Sequence, residues 1–269
     1  VSGHVVVIGS INLDVIASVA RLPLPGETAL AQKVEVLPGG KGANQALGAA
    51  RAGAQVTLIS AVGEDGEQYL RHLDDRGVNV QHVMRVPLAT GRANITVDDE
   101  GENSIVVAAG ANAELTAHWI HCCQDIIRSA DIVLLQQEIP TAAVRAALTL
   151  AADARVPAIL NVSPIDAASQ ELGELAEVVV VNEHEDRLMK IRDAVVTLGA
   201  AGARWGDVVV RPMTATTPMD TTGAGDAFAG ALAAALAIGM SRAQALAVAV
   251  ESGTNATQWA GAQPAGFEP

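Results

Sequence analysis

From Ile126 onward the chain alternates between helical stretches and short apolar runs, and this alternation restricts the possible folds more than any other feature. The runs at Asp131 to Leu135, Pro157 to Leu160, Val178 to Val181 and Ala194 to Leu198 are rich in Val, Ile and Leu, with no polar residue at every second place. That is the pattern of strands buried on both faces. His4 to Ile8 has the same character, and Gln55 to Ser60 follows an Ala-rich helical segment. Strands separated by helices build a parallel sheet through right-handed crossovers. The expected architecture is therefore a three-layer α/β/α domain with a mostly parallel central sheet. Two other regions read differently. Ala17 to Pro38 is extended but broken by Pro23, Pro25 and Gly26, and Arg92 to Ala108 is strand-like around a turn near Asp98 to Glu102. These predict a small separate sheet, a lid, with a plain structural extension as the other reading. The expected division is a core of residues 1–16, 38–91 and 109–269, with a β lid of 17–37 and 92–108.

One connection is short for this plan. Asn182 to Asp193 must carry the chain across the sheet, at the lower limit for a helical crossover. Val208 to Pro218 is similarly cramped. The spacing predicts residues missing at 186–193 and 206–218, marked by a break near Met189 to Ile191.

Bulk properties narrow the function. A formal net charge of −13 disfavours nucleic-acid or membrane-surface partners, which present negative charge themselves. No apolar run reaches a bilayer span, and the first ten residues lack the pattern of a signal peptide. Cys122 and Cys123 are adjacent and do not form an ordinary bridge with each other, so a reducing, cytoplasmic location is expected.

The chemistry concentrates at strand ends, where open α/β sheets collect ligands. Asn12 and Asp14 follow the first strand, as binding groups or as a turn that shapes the loop. Pro38 to Gln45 enters a helix through Gly39 and Gly40 without the spacing of a Walker A loop. Lys41 and Asn44 there suit a polyhydroxylated substrate, or a solvated lysine beside a structural turn. Glu138, Asn161, Asn182, Glu185, Thr197 and Gly199 fall at later strand ends. Asp220 to Asp226 then runs into the apolar segment from Ala227 to Ile238, read as a loop feeding a helix. Gly223 and Gly225 permit close backbone approach, and the helix start offers free N–H groups and a positive dipole end to an anion such as phosphate. Asp226 beside such an anion hole is placed to accept a proton from an attacking hydroxyl, which points to phosphoryl transfer; the plain alternative is a helix cap.

Other patterns are weaker. His118, His121, Cys122 and Cys123 offer a soft metal site or ordinary helix packing. His184 has no evident partner in the sequence. Gly223-Ala224-Gly225 fails as a dinucleotide fingerprint because Phe228 replaces the third glycine.

Taken in order, Gly9 to Asp14, Gly39 to Gln45, Gly101 to Ile105, Asn182 to Glu185, Val196 to Gly199 and Asp220 to Asp226 closely resemble the ribokinase group of PfkB-type carbohydrate kinases. The Gly110 to Asn112 neighbourhood points the same way. The resemblance covers nearly the whole chain and implies a ribokinase-like fold. It implies D-ribose contacts from Asn12, Asp14, Gly40, Lys41, Asn44 and Glu138, with Asp226 as base and Gly223, Ala224 and Gly225 as the anion hole. It further implies ATP along Thr197 and Gly199, Mg²⁺ and phosphate organised through water by Asn182 and Glu185, K⁺ at Asp220 and Thr222, and a homodimer paired through the lids. Three departures stand out: the short segment after Glu185, the compressed loop before Pro218, and Trp259 where relatives carry a basic residue.

Overall fold

The computed structural model describes residues 2–214 and 216–263; Val1, Ala215 and residues 264–269, including Pro264 and the outer ends of the expected core, lie outside that set. The N-terminal part contains β1 (His4–Ile8), β2 (Asn12–Ser18), β3 (Lys33–Gly39), α1 (Lys41–Arg51), β4 (Gln55–Val62), α2 (Glu67–Asp74), β5 (Val78–Arg85), β6 (Gly91–Val97) and β7 (Asn103–Ala108). There follow α3 (Ala117–Cys122), α4 (Gln124–Arg128), β8 (Ile132–Leu135), α5 (Thr141–Ala154), β9 (Ala158–Asn161), α6 (Ser169–Leu175) and β10 (Val178–Asn182). The C-terminal part has α7 (Glu183–Met189), β11 (Val195–Thr197), β12 (Ala203–Trp205), β13 (Val208–Val210), α8 (Ala224–Ala237) and α9 (Arg242–Ala256).

Nine strands form the large sheet in the order β13-β12-β11-β10-β9-β8-β1-β4-β5. From β5 to β11 neighbours are parallel, and β12 and β13 add an antiparallel edge. Side-chain alternation along β1 sends Val5 and Val7 into one buried layer and Val6 and Ile8 into the other. Both faces are therefore dry, which is why these strands lack polar alternation. The second sheet has the order β3-β2-β6-β7. It begins at Asn12, so Asn12 and Asp14 lie within a lid strand and not on a loop of the core. No helix among the described residues is long and apolar enough to cross a membrane.

The short crossover after β10 is carried by one brief helix. The seven-residue α7 ends at Lys190, φ 52°, and Asp193 at φ 62° turns the chain into β11. Left-handed backbone at these two places turns the chain within the short connection. The compressed segment after β13 is anchored by Met213 N–H donating to Glu251 at 2.6 Å.

Helix α8 begins earlier than its apolar run suggests. Gly223 is its N-cap, at φ 74°, so Ala224, Gly225 and Asp226 form the first turn. Helices α1 and α8 approach closely through glycine: a Cβ on Gly230 would lie 2.3 Å from the Gln45 carbonyl oxygen and 2.6 Å from the Ala49 nitrogen. Backbone on both sides leaves no room to yield. Gly230→Ala is expected to cost roughly 1–3 kcal/mol of stability as overpacking. Urea unfolding measures it, and a midpoint equal to that of the parent would contradict the proposed contact.

Candidate active site

The carboxyl end of the large sheet, the start of α1, the start of α8 and the inner end of the lid converge. Asp226 is 7% exposed, and its carboxylate is held from α1: Asn44 Nδ2 donates to Oδ2 at 3.1 Å and Gln45 Nε2 donates to Oδ1 at 3.0 Å. Gly223 makes no side-chain cap, and these contacts give the Asp226 carboxylate work beyond capping. In front of α8, Ala224 N–H turns back to the Thr221 carbonyl at 3.2 Å, while a Cβ on Gly225 would meet nothing within 4 Å. A ligand can therefore approach the backbone of this turn.

Several groups define the side facing the lid. Asn112 clamps the entry to β2: its Oδ1 accepts from Ile11 N–H at 3.0 Å, and its Nδ2 donates to the Ile11 carbonyl at 3.1 Å and to Asn12 Oδ1 at 2.8 Å. Glu138 accepts from Ser10 Oγ at 2.5 Å and from Lys41 N–H at 3.0 Å, at the start of α1. Gly40 is the N-cap of α1 at φ 86°. Burial first, then the charges of Glu138 and Asp226, push the Asp14 carboxyl up to about 7. Burial opposes the charge on Lys41, but Asp226, Glu138 and Glu185 outweigh it and hold the ammonium above its ordinary range. Those couplings link the lid-side residues, the α8 turn and the β10 rim electrostatically.

At the rim, Asn182 and Glu185 cap α7 reciprocally: Asn182 N–H donates to Glu185 Oε2 at 2.7 Å and Glu185 N–H to Asn182 Oδ1 at 2.9 Å. Burial raises the Glu185 carboxyl against the opposing Asn182 N–H and Lys41. Thr197 ends β11, and Gly199, φ 55°, faces open space just beyond it. Asp220 bridges two loops: Thr222 N–H donates to Oδ1 at 2.9 Å and Gly261 N–H to Oδ2 at 2.8 Å. Burial works against its charge, yet these donors and the Thr222 hydroxyl keep the carboxyl below its usual range.

Other expectations dissolve. His121 Nδ1 lies 2.7 Å from the Ala117 carbonyl, Cys122 is exposed and Cys123 buried. Among the described residues no three His, Cys, Asp or Glu side chains group as a metal site. His184 is exposed and acts electrostatically on the neighbouring Glu185. Trp259 stacks under Arg51, whose guanidinium carbon lies 4.3 Å from the ring centroid. A groove of about 510 Å³ beside it, lined by Arg51, Arg211, Ala227 and Glu251, contains none of the predicted site residues.

Sequence reasoning gave no role to Ser10, Gln45, Tyr69, His72 or Gln263. Gln263 joins Asn44 Oδ1 through Nε2 at 2.8 Å and contacts the Tyr69 hydroxyl, while His72 Nε2 lies 3.1 Å from its Oε1. The available signal was an uncharged polar pair, Asn44-Gln45, inside an Ala-rich helix.

An open helix start, an adjacent buried carboxylate and polar groups at the inner end of the second sheet thus gather at the carboxyl end of the large sheet. The chain belongs to the pfkB family of carbohydrate kinases, whose model matches residues 2–267. Its relatives within the family include ribokinases. It is 37% identical over 254 residues to the ribokinase of Bacillus subtilis (strain 168), covering 88% of this chain and 86% of that one. The structure of Arabidopsis thaliana ribokinase complexed with ribose and ATP superposes with a TM-score of 0.89 at 30% identity, covering 98% of this chain and 96% of the other. A ribokinase from Cryptococcus neoformans var. grubii serotype A in complex with ADP gives 0.83 at 30% identity, with 97% and 96% covered.

The raised Asp14 carboxyl has a definite sign in stability. The folded protein keeps this proton up to about pH 7, whereas an unfolded aspartate releases it near its ordinary value of 3.8. Between these values the folded state holds more protons, so this group's contribution falls as pH rises and the cost is complete above the upper value. In ligand-free protein, Asp14→Asn is expected to gain in melting temperature relative to the parent between about pH 5 and pH 8. Parallel melting curves across that range would refute the assignment.

Proposed function

We propose that this protein phosphorylates D-ribose at the 5-hydroxyl with ATP, giving ribose 5-phosphate and ADP. The observation that carries the reading is the Asp226 carboxylate, gripped by Asn44 and Gln45 at the first turn of α8 beside open backbone at Gly225. Similarity to ribokinases over most of both chains supports ribose and ATP as the pair.

In this reading Asn12, Asp14, Gly40, Lys41, Asn44 and Glu138 bind the sugar. Asp226 takes the proton as the O5–H bond breaks, and the O5 electron pair forms a bond to the γ-phosphorus. The bond from that phosphorus to the bridging oxygen breaks, and ADP leaves with its electrons. Gly223, Ala224 and Gly225 surround the charge on the transferring phosphoryl group, while Thr197 and Gly199 border the nucleotide. Closure of the lid would exclude water and so limit ATP hydrolysis.

Mg²⁺ and K⁺ complete the proposal. Mg²⁺ would be carried mostly by phosphate oxygens and water, with Asn182 and Glu185 acting through water. Bound there, it would neutralise phosphate charge. The ionised Asp220, with Thr222, supplies hard oxygen atoms appropriate to K⁺ beside the α8 turn. The lid exposes Ile105, Val106 and Val107 along β7, with Val106 at 66%, an apolar strip that supports pairing of two lids in a homodimer. ATP dependence and two free cysteines support a cytoplasmic setting.

Asp226→Asn is expected to retain ribose binding by calorimetry while turnover drops by about three orders of magnitude or more. Near-normal turnover would remove Asp226 as the base. A panel of sugars and nucleosides, assayed with and without K⁺, tests the substrate; preference for any acceptor over ribose would defeat the narrower claim. Val106→Glu is expected to shift the sedimentation coefficient from dimer to monomer, and an unchanged coefficient would argue against lid pairing.

A further inference from the structure

Helix α1 puts two consecutive amides on Asp226, and their surroundings differ. Asn44 is the one assigned to the sugar. Gln45 is fully buried, at 0% exposure, and both bonds of its Nε2 go to oxygens: Asp226 Oδ1 at 3.0 Å and Asn161 Oδ1 at 3.0 Å. Asn161 is itself tied to the neighbouring strand, donating Nδ2 to the Val180 carbonyl at 3.2 Å. A carboxylate only accepts, so the amide face toward Asp226 must be the NH₂. The Gln45 Oε1 has no partner among the described residues. Burying an unpaired carbonyl is unfavourable, so packing alone does not account for glutamine here.

We propose that Gln45 is a positioning residue for Asp226. It anchors Oδ1 to the end of β9 through Asn161 and fixes the plane of the carboxylate. Both oxygens retain lone-pair capacity for the attacking hydroxyl. Asn44 holds Oδ2 from the other side, and its own amide is oriented by Gln263, which donates to Asn44 Oδ1 at 2.8 Å. The carboxylate is thus fixed at two points, by one residue in reach of substrate and one out of reach. The proposal rests on Asp226 being the base.

Gln45→Met keeps the length of the side chain and removes the donor. Turnover is expected to fall about tenfold to a hundredfold from a displaced base, with the Michaelis constant for ribose within about twofold of the parent. In an Asp226→Asn background the same substitution should produce no further loss, because groups acting as a unit are not additive. Far-UV and melting measurements on each variant report folding. If Gln45→Met does not accumulate as folded protein, Gln45→Asn, one methylene short of the carboxylate, is read in the same cycle. Parental turnover in the folded Gln45 variant would overturn the proposal, as would a higher Michaelis constant at unchanged turnover or an equal loss in the Asp226→Asn background. Near-normal turnover of Asp226→Asn alone would instead defeat the base assignment, which separates the two failures.

Discussion

Everything at the carboxyl end of the sheet depends on keeping one carboxylate, Asp226, buried in the first turn of a helix without leaving it unsatisfied. Burial of an ionised group is tolerable only with donors close by. The helix start favours negative charge through its dipole, and α1 adds two side-chain amides. Those amides reach because α1 and α8 touch through glycine at Gly230, with Gly48 packed near Ala227 on the opposite helix. Each internal helical glycine costs about 1 kcal/mol against alanine in propensity. Packing between two helices therefore determines where this carboxylate stands.

The same region holds several acids around one lysine. Glu138 and Asp226 raise the cost of ionising Asp14, and Lys41 is kept charged by Asp226, Glu138 and Glu185 together. A net charge of −13 does not favour long-range attraction of a polyanion. Local devices take that part: a lysine at the start of α1, backbone at the start of α8, and an Asp220 carboxylate stabilised by amides beside it. Each acts over a few ångströms, where screening by salt matters less than at the surface.

Much of this was legible in the linear pattern, for different reasons at each place. The apolar runs marked the parallel strands to within a residue or so because burial on both faces leaves no other composition open. The glycine-rich segments marked helix starts because close approach requires the absence of a Cβ. Asn12 and Asp14 were read as loop residues, yet they belong to β2, since Asn112, a hundred positions away, supplies the hydrogen bonds that extend the strand inward. The segment after β10 read as short for a crossover, and the left-handed backbone at Lys190 and Asp193 that turns it carries no signature in residue type.

By itself, the sequence determined the class of fold, the two glycine-marked helix starts, and the aspartate in the first turn of the second, because each rests on local periodicity or on the special stereochemistry of glycine. The tertiary structure decided what surrounds that aspartate. Gln45 and Gln263 had no role legible in the chain, and they join Asn161 and Asn44 around it only when α1, β9 and the C-terminal segment pack together. Hydrogen bonds between side chains more than a hundred residues apart have no local pattern to betray them, and they turn a helical aspartate into a fixed, oriented carboxylate.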